Sequence, residues 1–250
     1  MSARSARIAD GALRRLIAGK PFRPPVDQPV ASRPQEERCE LCAVPVEPRH
    51  RHLLDLTSRE LCCACRACAV LFDRPAEDPD PAGDTPGGTA GGAAAGRGGA
   101  DRYRLVPDRR RLLEGFVLDD GTWAALDVPV RMAFLLWDSA AGRAVLFYPS
   151  PGGAVESALE EAVWERLSSA NPVLRRLLPD VEALLVNRTG AARQHWIVPV
   201  DDCYTLVGLL RTRWKGLAGG PDVWREITNF FTELARRSTT VTPADDHLRT

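Results

Sequence analysis

The sequence has almost no lysine: Lys20 and Lys215 stand against 31 arginines, and the 33 basic side chains are balanced by 33 acidic ones. A net charge of zero leaves no overall cationic excess with which to grip nucleic acid or an anionic membrane. The lysine shortage, together with abundant alanine, glycine and proline, reads as the mark of a high-GC genome. Long apolar runs are also missing. The longest, such as Met132 to Trp137, fall far short of the roughly 20 residues that cross a bilayer. Met1 to Lys20 interleave Arg4, Arg7, Arg14 and Arg15 with short apolar stretches, so they lack the continuous apolar segment of a secretory signal. These absences point to the cytoplasm, where thiols stay reduced and paired cysteines read as metal ligands in preference to disulfides.

What is present, and most specific, is a pair of cysteine pairs. Cys39-Glu-Leu-Cys42 and Cys65-Arg-Ala-Cys68 are separated by 22 residues. A two-residue gap lets one tight turn present both sulfurs to the same point, so the two pairs can converge on one tetrahedral ion. Cys39, Cys42, Cys65 and Cys68 are therefore the expected metal ligands, with zinc as the cofactor and iron as the alternative. Zinc is preferred because Ala43 and Ala69 stand where a rubredoxin-type knuckle usually has glycine. Cys62-x-x-Cys65 overlaps the second pair, and spacing alone leaves open whether Cys62 or Cys63 replaces a ligand. The apolar run Ala69 to Phe72 favours the 65/68 register, because a knuckle normally opens into such a strand. His50 and His52 could replace a cysteine ligand, but because four thiolates already complete the shell they are read as polar residues of a ribbon strand, with His52, if near the ion, as a support behind the ligands.

The composition divides the chain. Residues 1–37 form an Arg/Pro-rich arm, with one helix from Ile8 to Ala18 before the prolines intervene. Residues 38–73 form the cysteine module, too short to fold on burial alone but within reach of a bound zinc. Residues 74–101 are Pro, Gly, Ala and Asp with scarcely any large apolar side chain, as in a flexible linker. Residues 102–238 carry all six tryptophans and dense hydrophobic patterning, and 239–250 read as a disordered tail.

Within 102–238, strands are expected at 128–137, 143–148, 181–186 and 194–200, and the first two join through Asp138 to Gly142 as a hairpin. The spacing of Val155, Ala158, Leu159, Ala162, Val163 and Leu167 predicts a helix, with a second short one between Pro172 and Leu178. A third runs from Cys203 to Trp214, capped by Asp201 or Asp202. The clearest helix begins at Gly220-Pro221 and carries Val223, Ile227, Phe231 and Leu234 on one stripe. Residues 112–126, with a turn at Asp119-Asp-Gly121, add a hairpin or edge element. The fold class is α+β: a small four-cysteine zinc-ribbon-like module, then an antiparallel sheet packed with helices on one face.

No catalytic or cofactor-binding set emerges. His195 and Cys203 lack the local signature of a nucleophile and base. Asp119-Asp120 and Asp201-Asp202 are explained as turn and cap residues, and Arg109-Arg110-Arg111 as a solvated basic face. Pro149-Ser-Pro-Gly-Gly153 lacks the Lys-[ST] of a P-loop.

Several segments together resemble one family: Arg38-Cys-Glu-Leu-Cys42, His50-Arg-His-Leu-Leu-Asp55, Cys63-Ala-Cys-Arg-Ala-Cys-Ala69, Val145-Leu-Phe-Tyr-Pro-Ser-Pro151 and Val181-Glu-Ala-Leu-Leu-Val-Asn-Arg188. Val198-Pro-Val-Asp-Asp-Cys-Tyr204 and Trp214-Lys-Gly-Leu-Ala-Gly-Gly220 extend the likeness across residues 38 to 235. They are similar to an uncharacterised domain-of-unknown-function family of high-GC bacteria, encoded beside nickel-iron hydrogenase and hydrogenase-maturation genes. The resemblance implies a metal-binding accessory protein whose partner is a nickel-iron hydrogenase subunit or maturation factor. Two other expectations accompany it: rubredoxin-like electron transfer, and a nucleic-acid-binding ribbon, which the balanced charge disfavours.

Overall fold

In the computed structural model, residues 37–73, 102–216 and 219–242 are described. The arm (but for Glu37), the 74–101 linker and residues 243–250 of the tail lie outside them. The described residues fall into two compact units, one within 25–106 and the other within 107–250.

The first unit is built on a hairpin, β1 (Arg51–Asp55) and β2 (Glu60–Ala64). Its turn is closed by the buried Asp55 carboxylate, which accepts the Thr57 and Ser58 amides and holds Arg102 at 2.5 Å. Helix α1 (Arg66–Val70) follows, capped by the Cys65 sulfur. This corrects the expectation of a strand after Cys68. A four-residue apolar run has no period that separates strand from helix, and here the cap decides. A third strand, β3 (Tyr103–Leu105), pairs with the free edge of β1, setting Leu105 opposite Leu53. Leu53, Ala64, Ala69 and Leu105 form the core, and Phe72 meets Tyr103 edge to face. The cysteine module therefore takes a strand from beyond residue 101, where hydrophobic density had suggested that the next domain begins.

The second unit contains a seven-stranded sheet. Its members are β4 (Arg111–Leu113), β5 (Met132–Asp138), β6 (Arg143–Ser150), β7 (Gly153–Ser157), β8 (Glu182–Asn187), β9 (Gln194–Pro199) and β10 (Thr239–Val241), in the order β10-β4-β9-β8-β5-β6-β7. All neighbours are antiparallel except β10, which runs parallel to β4. Thr239 to Val241, expected in the tail, thus finish the sheet. Helices α2 (Asp120–Ala125), α3 (Glu161–Ala170), α4 (Val200–Arg213) and α5 (Gly220–Arg237) surround it, with a 3-10 turn at Pro172–Arg176.

Helices cover both faces, not one. Ile197 packs with Val163 and Leu167 of α3, whereas its neighbour Trp196 points the other way and stacks on Phe231 of α5 at 5.4 Å. Every residue of β8 is buried. Its unbroken Ala183-Leu-Leu-Val186 run is what a strand covered on both sides requires. Gly153 to Ser157, expected to open a helix, instead pairs with β6, and α3 begins only at Glu161. The Asp119-Asp-Gly121 sequence is a helix start rather than a hairpin turn, with Asp119 accepting the Thr122 amide at 2.6 Å. No described helix is long and apolar enough to cross a membrane.

Candidate metal centre

The first cysteine pair sits on a knuckle. Cys39 and Ala43 close it through two backbone bonds, Cys39 N to Val44 O at 2.8 Å and Ala43 N to Cys39 O at 2.7 Å. The turn forces Ala43 into the left-handed region, φ 61°. The second pair opens α1, where Cys65 Sγ accepts the Cys68 amide at 3.4 Å. Glu40 docks the knuckle on the hairpin: its amide donates to Cys63 O, and its carboxylate accepts the Cys63 amide, each at 2.9 Å.

These supports bring the four sulfurs of Cys39, Cys42, Cys65 and Cys68 within 4.8 Å of one another. Cys42 Sγ and Cys65 Sγ are 3.6 Å apart. Sulfurs about 2.3 Å from a central zinc lie about 3.8 Å from each other, so the spacing suits a four-thiolate cation site. Iron fits the same ligands. The second pair comes from a helix start and not from a second knuckle, so the frame is not a two-knuckle ribbon.

The electrostatics also call for a cation. Burial pushes the Cys39 thiol up, but amide donors from Cys65, Cys42 and Leu41 outweigh it and bring the group down to about 6. Cys68 is pushed up to about 12 by burial and by the sulfurs of Cys42, Cys65 and Cys39. One thiolate forms easily and opposes the next, and a central positive charge is what allows all four to ionise together.

The remaining cysteines separate cleanly. Cys62 packs against the small core, and burial pushes its thiol up to about 11. Cys63, one residue on, faces the opposite side of β2 and lies directly across from His52. There the donor atoms of His50, His52 and Cys63 come within 4.8 Å of one another, and the two imidazoles meet edge to face at 4.8 Å. Sequence reading preferred strand polarity for these histidines and weighed them only as substitutes for a ligand of the four-cysteine centre. The i, i+2 spacing was a signal, but the hairpin register was needed to bring Cys63 to them.

The residues weighed for catalysis sit in different settings. Cys203 is fully buried and its thiol is pushed well up by burial. His195 stacks on Phe116 at 4.6 Å. Asp202 does not cap α4: it binds Arg110 at 2.6 Å. Arg109 and Arg111 both reach the buried Glu182, at 2.7 and 3.5 Å. The arginine triplet is thus an internal tie, not a solvated basic face.

The model of a family of unknown function, DUF5947, matches residues 38–81 and 91–238. No curated protein and no solved structure matches the chain.

Proposed function

Since the chain belongs to the DUF5947 family, whose function is unknown, its role rests on its own residues, and we propose that it is a non-enzymatic, metal-binding accessory protein. Cys39, Cys42, Cys65 and Cys68 hold one structural zinc ion, which folds the N-terminal unit so that it can dock on a protein partner. The observation that carries this reading is the convergence of four sulfurs from a knuckle and a helix start. Structural zinc contributes on the order of 10–16 kcal/mol in small domains, more than a four-residue apolar core can supply.

A docking role is supported by what surrounds the ligands. Leu41 and Val44 flank Cys42, and Val70 and Leu71 follow Cys68; all four are exposed, Leu71 to 71%. Exposed large apolar side chains that form a contiguous patch mark contact surfaces. The resemblance in sequence directs the choice of partner to a nickel-iron hydrogenase subunit or maturation factor. Affinity capture from a native host tests this with wild type and Cys39→Ser. Retention of hydrogenase-related proteins by wild type alone is expected. Retention by neither form, with the wild type carrying its metal, would overturn the partner assignment.

A further inference from the structure

Beyond the four-thiolate centre, the geometry points to a second metal site: His50, His52 and Cys63 bind a borderline-soft divalent transition cation on the face of the β1–β2 hairpin opposite Leu53 and Cys62. Their convergence follows from the fold. His52 and Cys63 are directly opposed across the hairpin, and His50 shares the face of His52 by the two-residue period of an extended chain. The three donor atoms lie within 4.8 Å of one another.

The hydrogen bonding of His50 leaves Nε2 for ligation. Its Nδ1 lies 2.8 Å from the Glu47 carbonyl, which can only accept, so Nδ1 carries the proton and Nε2 presents a lone pair. That Nε2 is buried with no hydrogen-bond partner, on a side chain only 8% exposed. An unsatisfied buried acceptor is costly, and a cation among the three donors satisfies it. The Glu37 carboxylate, 3.7 Å from the same Nδ1, adds the outer support usual behind a ligating imidazole.

Two imidazoles and a thiolate select zinc, cobalt or copper over magnesium or calcium. Three protein ligands leave the fourth position to water or to a donor from a partner, as in exchangeable rather than purely structural sites. The Cys63 backbone is bonded to Glu40 inside the knuckle, so the two centres share a support.

Titration of the metal-free full chain with cobalt(II), followed by thiolate-to-cobalt absorption, tests the assignment. Wild type is expected to take up two equivalents. A His50→Ala/His52→Ala variant is expected to keep the first, with its four-thiolate spectrum intact as proof of folding, and to weaken the second at least 100-fold. Uptake of one equivalent by wild type, or an unchanged second equivalent in the variant, would overturn the site. Should the variant not fold, wild type carrying zinc in the first site and cobalt in the second is decisive. X-ray absorption at the cobalt edge is expected to show nitrogen neighbours with a single sulfur, and a shell lacking either element refutes the assignment. Loss of only the second equivalent leaves the four-cysteine reading standing.

Discussion

The sulfurs of Cys42 and Cys65 lie 3.6 Å apart, although 22 residues of chain separate them. Nothing covalent joins them, and both cysteines are free thiols. Their approach depends on Glu40 fastening the knuckle to β2 and on α1 starting where β2 stops. A cation at the centre would replace this sulfur–sulfur contact with bonds to all four sulfurs.

Cys65 caps α1 and is also one of the four proposed ligands, and Cys65→Ser separates the two roles. Serine keeps a capping oxygen but removes a thiolate. The variant is expected to lose the four-sulfur metal and, with it, amide-exchange protection across Arg51–Asp55 and Glu60–Ala64. Retained protection in the metal-free variant contradicts a folding role for the ion.

Ala43 holds a left-handed conformation, φ 61°, that costs an L-residue about 1–2 kcal/mol. Ala43→Gly relieves that strain and returns part of the gain as unfolded-state entropy. A net stabilisation of about 0.5–1 kcal/mol is expected, read as metal binding tightened by about two- to fivefold in chelator competition. Equal or weaker binding would show that the knuckle carries no such strain.

Arg110 and Asp202 form an enclosed ion pair in the larger unit, with side-chain exposures of 9% and 12%. Burial pushes the Asp202 carboxyl up, and Arg110 counters it. Arg110→Ala leaves that carboxylate without its partner and is expected to cost about 3 kcal/mol in urea unfolding. The Arg110→Ala/Asp202→Ala double variant should cost less than the two single changes added together.

Much of this was readable beforehand, for identifiable reasons. The central strands carry long β-branched and aromatic runs, and α5 has a clean apolar stripe, so pattern alone located them. The convergence of Cys39, Cys42, Cys65 and Cys68 was legible because CxxC spacing encodes geometry directly. Three-residue β3 and β10 carry no period, and their pairing depends on contacts remote in sequence. Gly153 to Ser157 fits either period, and its neighbour β6 decides the outcome. The His50, His52 and Cys63 group was hidden because it exists only in one hairpin register.

His195 is held neutral, its imidazole brought down to about 4 chiefly by burial and secondarily by Arg188. The unfolded chain takes up this proton near the ordinary histidine value, well before the native state does. Stability from this group is therefore complete above about pH 6.5 and drains away as pH falls toward 4, by roughly 2–3 kcal/mol. His195→Gln is expected to flatten the stability profile of the larger unit in that window, and an unchanged slope assigns the acid sensitivity elsewhere.

The most direct test of the four-cysteine centre is metal content and X-ray absorption on protein purified without added ions. A tightly held zinc ringed by four sulfurs, absent from Cys39→Ser, is the expected result. Purified protein that is metal-free yet fully folded within residues 37–73, or metal that survives Cys39→Ser unchanged, would contradict the account.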